Sequence, residues 1–163
     1  MKKLNIVLAA FLGLAALSTQ AYAASNVTNA EVLTKKYTGI AQTVNPEFVP
    51  SVSEGKTFYN RKFTLKDGKQ AACASCHTSN PADAGKHIVT GKAIAPLAPA
   101  VNKKRFRSLD KVEDKFTEHC NDILGADCTA GEKANYIVYL LTERTPTRSE
   151  ERRVGKECTE QCR

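Results

Sequence analysis

The pentapeptide CASCH, Cys73 to His77, constrains this chain more than any other stretch. Two thiols at this spacing can add across the vinyl groups of a porphyrin, and the imidazole that follows then reaches the iron from one side. A zinc site would need a second ligand pair at compatible spacing, and Cys120 and Cys128 stand wider apart than zinc motifs favour. A thiol–disulfide exchange pair would need a βαβ setting, which the sequence lacks. The expected cofactor is a single covalent haem c, attached through Cys73 and Cys76, with His77 as the proximal iron ligand.

The other face of the iron poses the harder question. The chain's one methionine is Met1, so the sulfur ligand usual in small cytochromes is not on offer. A histidine, an amide, a lysine, a tyrosine, water or no ligand at all remain. Besides His77 the histidines are His87 and His119. On a helical wheel at about 100° per residue, His119 falls on one stripe with Val112, Phe116 and Ile123, so it is expected to point into the domain, whereas Asn121 is expected to face solvent. An inward imidazole could be a core residue bonded to a carbonyl. Beside a haem without methionine, iron ligation is the preferred reading, with His87 as the alternative donor.

Lys2 and Lys3, the apolar run Ile6–Leu17 and the small-x-small triplet Ala21-Tyr22-Ala23 have the layout of a secretory leader. Cleavage after Ala23 and a soluble periplasmic protein are expected. The last residues, 148–163, include RSEERRVGKEC, which reads as translated sequencing-adapter DNA; the alternative is a genuine charged tail carrying Cys158 and Cys162. Both readings expect disorder there. Residues 24–147 suit one small domain. In an oxidising compartment Cys120 and Cys128 should pair, tying the end of the His119 helix to the next element.

The formal charge of +7 falls to about +4 once leader and tail are set aside. Such a surface could steer docking to an acidic redox partner. With no Trp and no basic run interleaved with aromatics, it does not point to nucleic acid.

The periodicity predicts a mostly helical domain. Asn29 is expected to cap a first helix with Leu33, Tyr37 and Ile40 on its apolar stripe, and Ser53 to open a second, in which Phe58 and Tyr59 pack inward. LKDGKQ reads as a loop. From Thr78 to Asn102 no helical period appears, and Pro96 and Pro99 suggest an extended crossing in which Ile94, Pro96 and Leu97 line the haem pocket. Two helices follow, at about Leu109–Leu124 and Ala130–Thr142, the latter opened by a Thr129–Glu132 capping box. No strand pattern and no repeat is expected. A domain of this size has a limited core, and a buried porphyrin would complete it.

CASCH, TGKAIAPLAP (Thr90 to Pro99), Arg105-Phe106 and CNDILGADCTAGEKA (Cys120 to Ala134) together resemble the sphaeroides-haem-protein (SHP) type of oxygen-binding monohaem cytochrome c, over roughly Gly55 to Thr142. The resemblance implies an all-α, class I cytochrome c-like fold and a Cys120–Cys128 disulfide near the distal pocket. It implies redox partnership with a dihaem cytochrome c and a membrane cytochrome b. It also implies an asparagine ligand at the position of His119 that leaves ferrous iron so that O2 or NO binds. Imidazole binds both oxidation states, so an electron carrier is the leading expectation. A gas-binding protein, or a small oxygen- or nitric-oxide-consuming enzyme, is the alternative. No acid/base pair that would serve an enzyme is identifiable.

Overall fold

The computed structural model describes residues 25–147, so the expected leader and the 148–163 tail lie outside them. The order is α1 (Asn26–Gln42), α2 (Val52–Asn60), β1 (Phe63–Thr64), β2 (Gln70–Ala71), α3 (Cys73–His77), β3 (Gly85–Lys86), β4 (Ala93–Ile94), α4 (Leu109–Ile123) and α5 (Ala130–Thr142). Among the described residues, no helix is long and apolar enough to cross a membrane.

The centre is α5, which packs against both α1 and α2. Thr129 accepts from the Glu132 amide while the Glu132 carboxylate accepts from the Thr129 amide, so the capping box holds the first turn. From there Ala134, Ile137, Tyr139 and Leu140 are buried. α2 crosses α5 at Gly55. A Cβ built there would collide with the Asn135 carbonyl oxygen and lie 2.8 Å from the Tyr139 Cβ, so only glycine allows this approach. Asn135 Oδ1 accepts from the Ser51 amide at 2.8 Å and fixes the register of the crossing.

Rings carry the core toward α4. Tyr139 meets Tyr59, Tyr59 meets Tyr136, Tyr136 meets Phe116 and Phe116 meets Tyr37, with centroids 5.4–6.1 Å apart. Phe116 and Tyr136 also border a smaller cluster of Phe58, Cys120 and Cys128.

Four sequence expectations need correction. Ser25, not Asn29, caps α1, accepting from the Thr28 amide; the Asn29 side chain instead donates to the Phe106 carbonyl at 2.8 Å. Likewise Ser51, not Ser53, caps α2. Ile40 is 47% exposed, because α5 covers α1 only along Ala30, Leu33 and Tyr37. Strands do form: β1 pairs antiparallel with β2 across the LKDGKQ turn, and β3 with β4 inside the segment expected to be featureless. Strands of two residues leave no alternation for a period-2 pattern to show.

α1 is tied to α4 by a polar contact. The Tyr37 hydroxyl and Lys36 Nζ both donate to the Glu113 carboxylate. Burial works against ionisation of Glu113, but the bonds from Lys36 and Tyr37 and the Lys133 charge prevail and hold its carboxyl below the usual value. Burial first, and then the Glu113 bond, push the Tyr37 phenol up. The carboxylate's contribution is therefore full above the unfolded value of 4.5 and is lost as pH falls through the lower folded value. The phenol's contribution fades only as pH rises above 10. Glu113→Gln should cost about 1–2 kcal/mol at pH 7, mostly through the buried Tyr37 bond because Lys36 is exposed. The urea midpoints of variant and parent should converge on acidification. Equal midpoints at pH 7 would rule this out.

Candidate functional site: the CASCH helix and its surroundings

α3 is the CASCH sequence itself, a single short helix. Ser75 starts it by accepting from the Ala72 amide at 2.9 Å, which gives the variable middle of the motif a structural task. The helix stops at once after His77. Thr78 adopts φ 64°, ψ 169°, a conformation that costs a non-glycine residue about 1–3 kcal/mol. The surroundings fix it there: Thr78 Oγ1 donates to the Asn80 carbonyl at 2.8 Å, and the Tyr59 hydroxyl donates to the carbonyls of Thr78 (2.7 Å) and His77 (3.1 Å). Tyr59, expected only to pack inward, is thus the clamp on the C-terminal end of the motif.

β3 lies directly on α3. A Cβ at Gly85 would strike the Cys76 carbonyl oxygen and come within 2.9 Å of the His77 Cα. The 90–106 segment then passes the motif. The Leu97 and Ala98 amides donate to the Pro81 carbonyl, and Leu97 is buried in the main core, while Ile94 and Pro96 are half-buried. The Pro96 carbonyl accepts from Asn102 Nδ2 at 2.8 Å and from Arg105 Nε at 2.9 Å, and the Ala95 carbonyl accepts from Arg105 Nη2 at 2.9 Å. Sequence reasoning missed this role of Arg105; its Arg-Phe pair was the available signal. Phe106 beside it takes φ 57° with its ring buried.

The electrostatics of the motif can be read group by group. Burial pushes the Cys73 thiol up to about 11, so it stays protonated at neutral pH. An exchange-active thiol needs the opposite shift, because its thiolate is the nucleophile. Burial, then the Arg105 and His119 charges, bring His77 down to about 4, leaving a neutral imidazole fit for a metal. Arg105 belongs to the 102–107 turn and His119 to α4, so the charges felt at His77 come from two different segments. Arg105 is itself depressed by burial and enters no ion pair among the described residues.

His119 differs from the expectation of an inward, packed residue. It is exposed, although it shares its stripe with the half-buried Val112, Phe116 and Ile123, and its imidazole has no hydrogen-bond partner among the described residues. It overhangs the edge of the side-chain core. Asn121 is exposed as expected and holds the Thr117 carbonyl and Asp127. The structure joins Cys120 to Cys128, Cα atoms 5.5 Å apart, across Gly125 at φ 76°. His87 sits at the β3–β4 turn, where its Nδ1 accepts from the Val89 and Thr90 amides at 3.2 Å, so it serves the turn.

Paired thiols followed by a neutral imidazole, with a partly buried guanidinium lacking a carboxylate, form a donor set that fits a porphyrin with acidic side chains. Known proteins agree with this reading. Residues 46–140 match a family described as a domain of unknown function (DUF1924). Cytochrome c'' of Methylophilus methylotrophus is 64% identical over 129 residues, 78% of this chain and 90% of the relative. This chain belongs to the SHP-type monohaem cytochrome c family.

Cytochrome c-type protein SHP of Cereibacter sphaeroides is 40% identical over 72 residues, spanning 44% of this cytochrome and 55% of that relative. The crystal structure of oxidised cytochrome c'' superimposes with a TM-score of 0.72 at 66% identity, covering 74% of this chain and 99% of that one. The structure of oxidised SHP, described as an oxygen-binding cytochrome c, gives 0.61 at 31% identity over 68% and 94%. The cytochrome has the cytochrome c-like fold and binds one covalent haem c. When bound, haem would supply an iron centre that exchanges one electron. Cys73, Cys76 and His77 are the residues that would hold it, and the half-buried Arg105, in no ion pair among the described residues, would suit one of its carboxylates.

Proposed function

We propose that this cytochrome carries single electrons in the periplasm and that His119 occupies the sixth position of ferric iron and detaches on reduction. The observation that carries the reading is the placement of His119 on α4: it shares a stripe with the half-buried Phe116 and Ile123, precedes the buried Cys120, and exposes an imidazole that has no hydrogen-bond partner among the described residues. An exposed imidazole that no side chain or carbonyl holds is free to bind a metal through either ring nitrogen. The disulfide at the next residue restrains how far the end of α4 can withdraw. Further support comes from a solution structure of the Methylophilus cytochrome, 66% identical with a TM-score of 0.70, described as giving insights into the structural basis of haem-ligand detachment. The leader-like N-terminus and the cysteine pair favour an oxidising compartment.

The second reading, binding of a diatomic gas, is favoured by the description of SHP as oxygen binding. Both readings are tested on the holoprotein. His119→Ala should abolish the low-spin six-coordinate ferric spectrum while the c-type ferrous bands persist; survival of that spectrum would remove His119 as the ligand. Carbon monoxide added to the reduced parent should shift the Soret band quickly if His119 has left. An unshifted band at equilibrium would mean that the ligand stays and that the protein is a carrier alone.

A further inference from the structure

Charge is unevenly distributed along this domain. Residues 84–112 hold seven Lys and Arg against the single Asp110, whereas residues 113–147 hold seven Asp and Glu against three Lys and Arg. The basic stretch is also contiguous in space with the haem-binding motif. It starts at Gly85, whose backbone touches Cys76 and His77, and runs through the β3–β4 hairpin. Through the Arg105 bonds to Ala95 and Pro96 it continues into the 102–107 turn. None of Lys86, Lys92, Lys103, Lys104 and Arg107 forms an ion pair among the described residues, and all five are exposed.

The hairpin tip adds an apolar feature between two of these cations. Ile88 is 56% exposed and Val89 is 83% exposed, and the tip is stiffened rather than loose. His87 Nδ1 and the His87 carbonyl bond the Val89, Thr90 and Gly91 amides, and the Lys86 stem lies along Gly91. A rigid apolar tip flanked by unpaired cations has the form of a docking element, with an apolar anchor inside a polar rim.

Resting on the electron-carrier reading, we propose that the β3–β4 hairpin and the 102–107 turn form the docking face for an acidic electron-transfer protein. Ile88 and Val89 enter an apolar recess of that partner, and Lys86, Lys92, Lys103, Lys104 and Arg107 face its carboxylates. Unpaired cations around the tip attract an acidic partner and orient it before contact. Gly85 gives the arrangement its electron-transfer value. With no side chain there, a protein seated on the hairpin is one strand away from Cys76, where the haem is attached.

Flavodoxin hydroquinone, an acidic one-electron donor, serves as the probe in stopped-flow reduction of the ferric holoprotein. At low ionic strength Lys86→Glu with Lys92→Glu should slow the reaction about tenfold or more, and added salt should erase the difference. Lys35→Glu with Lys56→Glu, which reverses the same amount of charge on α1 and α2, should slow it less than twofold. Ile88→Ser with Val89→Ser should slow it severalfold even at high salt, where charge is screened within about 3 Å at 1 M. Reduction by a neutral hydroquinone should be the same in all of them, showing that the haem site is intact. Equal slowing by the two lysine pairs, or no effect of the Ile88 and Val89 changes at high salt, would overturn the docking face. A parent protein that cannot be cycled reversibly between ferric and ferrous forms at an electrode would instead overturn the electron-carrier reading.

Discussion

Gly55→Ala is expected to destabilise the holoprotein by about 3 kcal/mol or more, the upper end of what overpacking costs. The added methyl would meet the carbonyl carbon of Asn135 at 2.6 Å and the Tyr139 Cβ at 2.8 Å, as well as the carbonyl oxygen. These are atoms of the main chain and its first branch, so no rotamer change moves them away; α2 and α5 must separate. That separation loosens Tyr59, which reaches from α2 to the carbonyls of His77 and Thr78. The damage should therefore extend to the motif as well as to the helix pair. Gly39→Ala is the matched control, since nothing stands within 4 Å of its Cβ position in α1. It should be neutral or stabilising by up to about 1 kcal/mol, because alanine is the better helix former. Guanidinium midpoints of the two variants should move in opposite directions. A Gly55→Ala protein unfolding at the parent's midpoint would mean that the crossing is not this close.

That constraint illustrates what the sequence could and could not announce. Features written in neighbouring residues were legible: CASCH, the Thr129–Glu132 box and the α4 and α5 boundaries each lie within a few positions. Spacing put His119 on the stripe of Val112, Phe116 and Ile123 and so inside the domain, but a wheel cannot say how much of a face the core covers. His119 is exposed although Phe116 before it and Ile123 after it on the stripe are half-buried and its neighbour Cys120 is buried. Gly55 and Gly85 carry their meaning in a partner on another element, Asn135 for one and the Cys76 carbonyl for the other. A glycine inside a helix was a cue to Gly55, since it costs about 1 kcal/mol there without a packing reason. Arg105 looks like any surface arginine until its carbonyl partners at Ala95 and Pro96 are known. Capping failed where several candidates stood together: Ser25 and Asn29, or Ser51 and Ser53, are equally good on paper, and tertiary contacts chose between them.

Cys73→Ser with Cys76→Ser should yield a colourless chain that keeps part of its fold and loses the rest. The packing explains the division. α5 is held by α1 and α2 along its length, with Ala30, Leu33, Tyr59, Ile137 and Leu140 in the shared interior. α4 has no comparably broad contact with another element. It is tied down by the Glu113–Tyr37 bond, by Phe116 and by the Cys120–Cys128 bridge, while Val112, Phe116, Tyr136, Cys73 and Ala74 line the margin of the core only partly buried. A porphyrin held at Cys73 and Cys76 would cover such groups and add apolar burial worth about 25 cal/mol for each Å² removed from water. That burial would fall where the side chains alone leave α4 least secured. Hydrogen exchange should therefore find α4 and the 78–106 segment open in the variant, with the α5 amides still protected, and far-UV helicity reduced but not abolished. A colourless variant that unfolds cooperatively at the parent's midpoint, with α4 as protected as α5, would show that the side-chain core suffices and that the cofactor is a passenger in the fold.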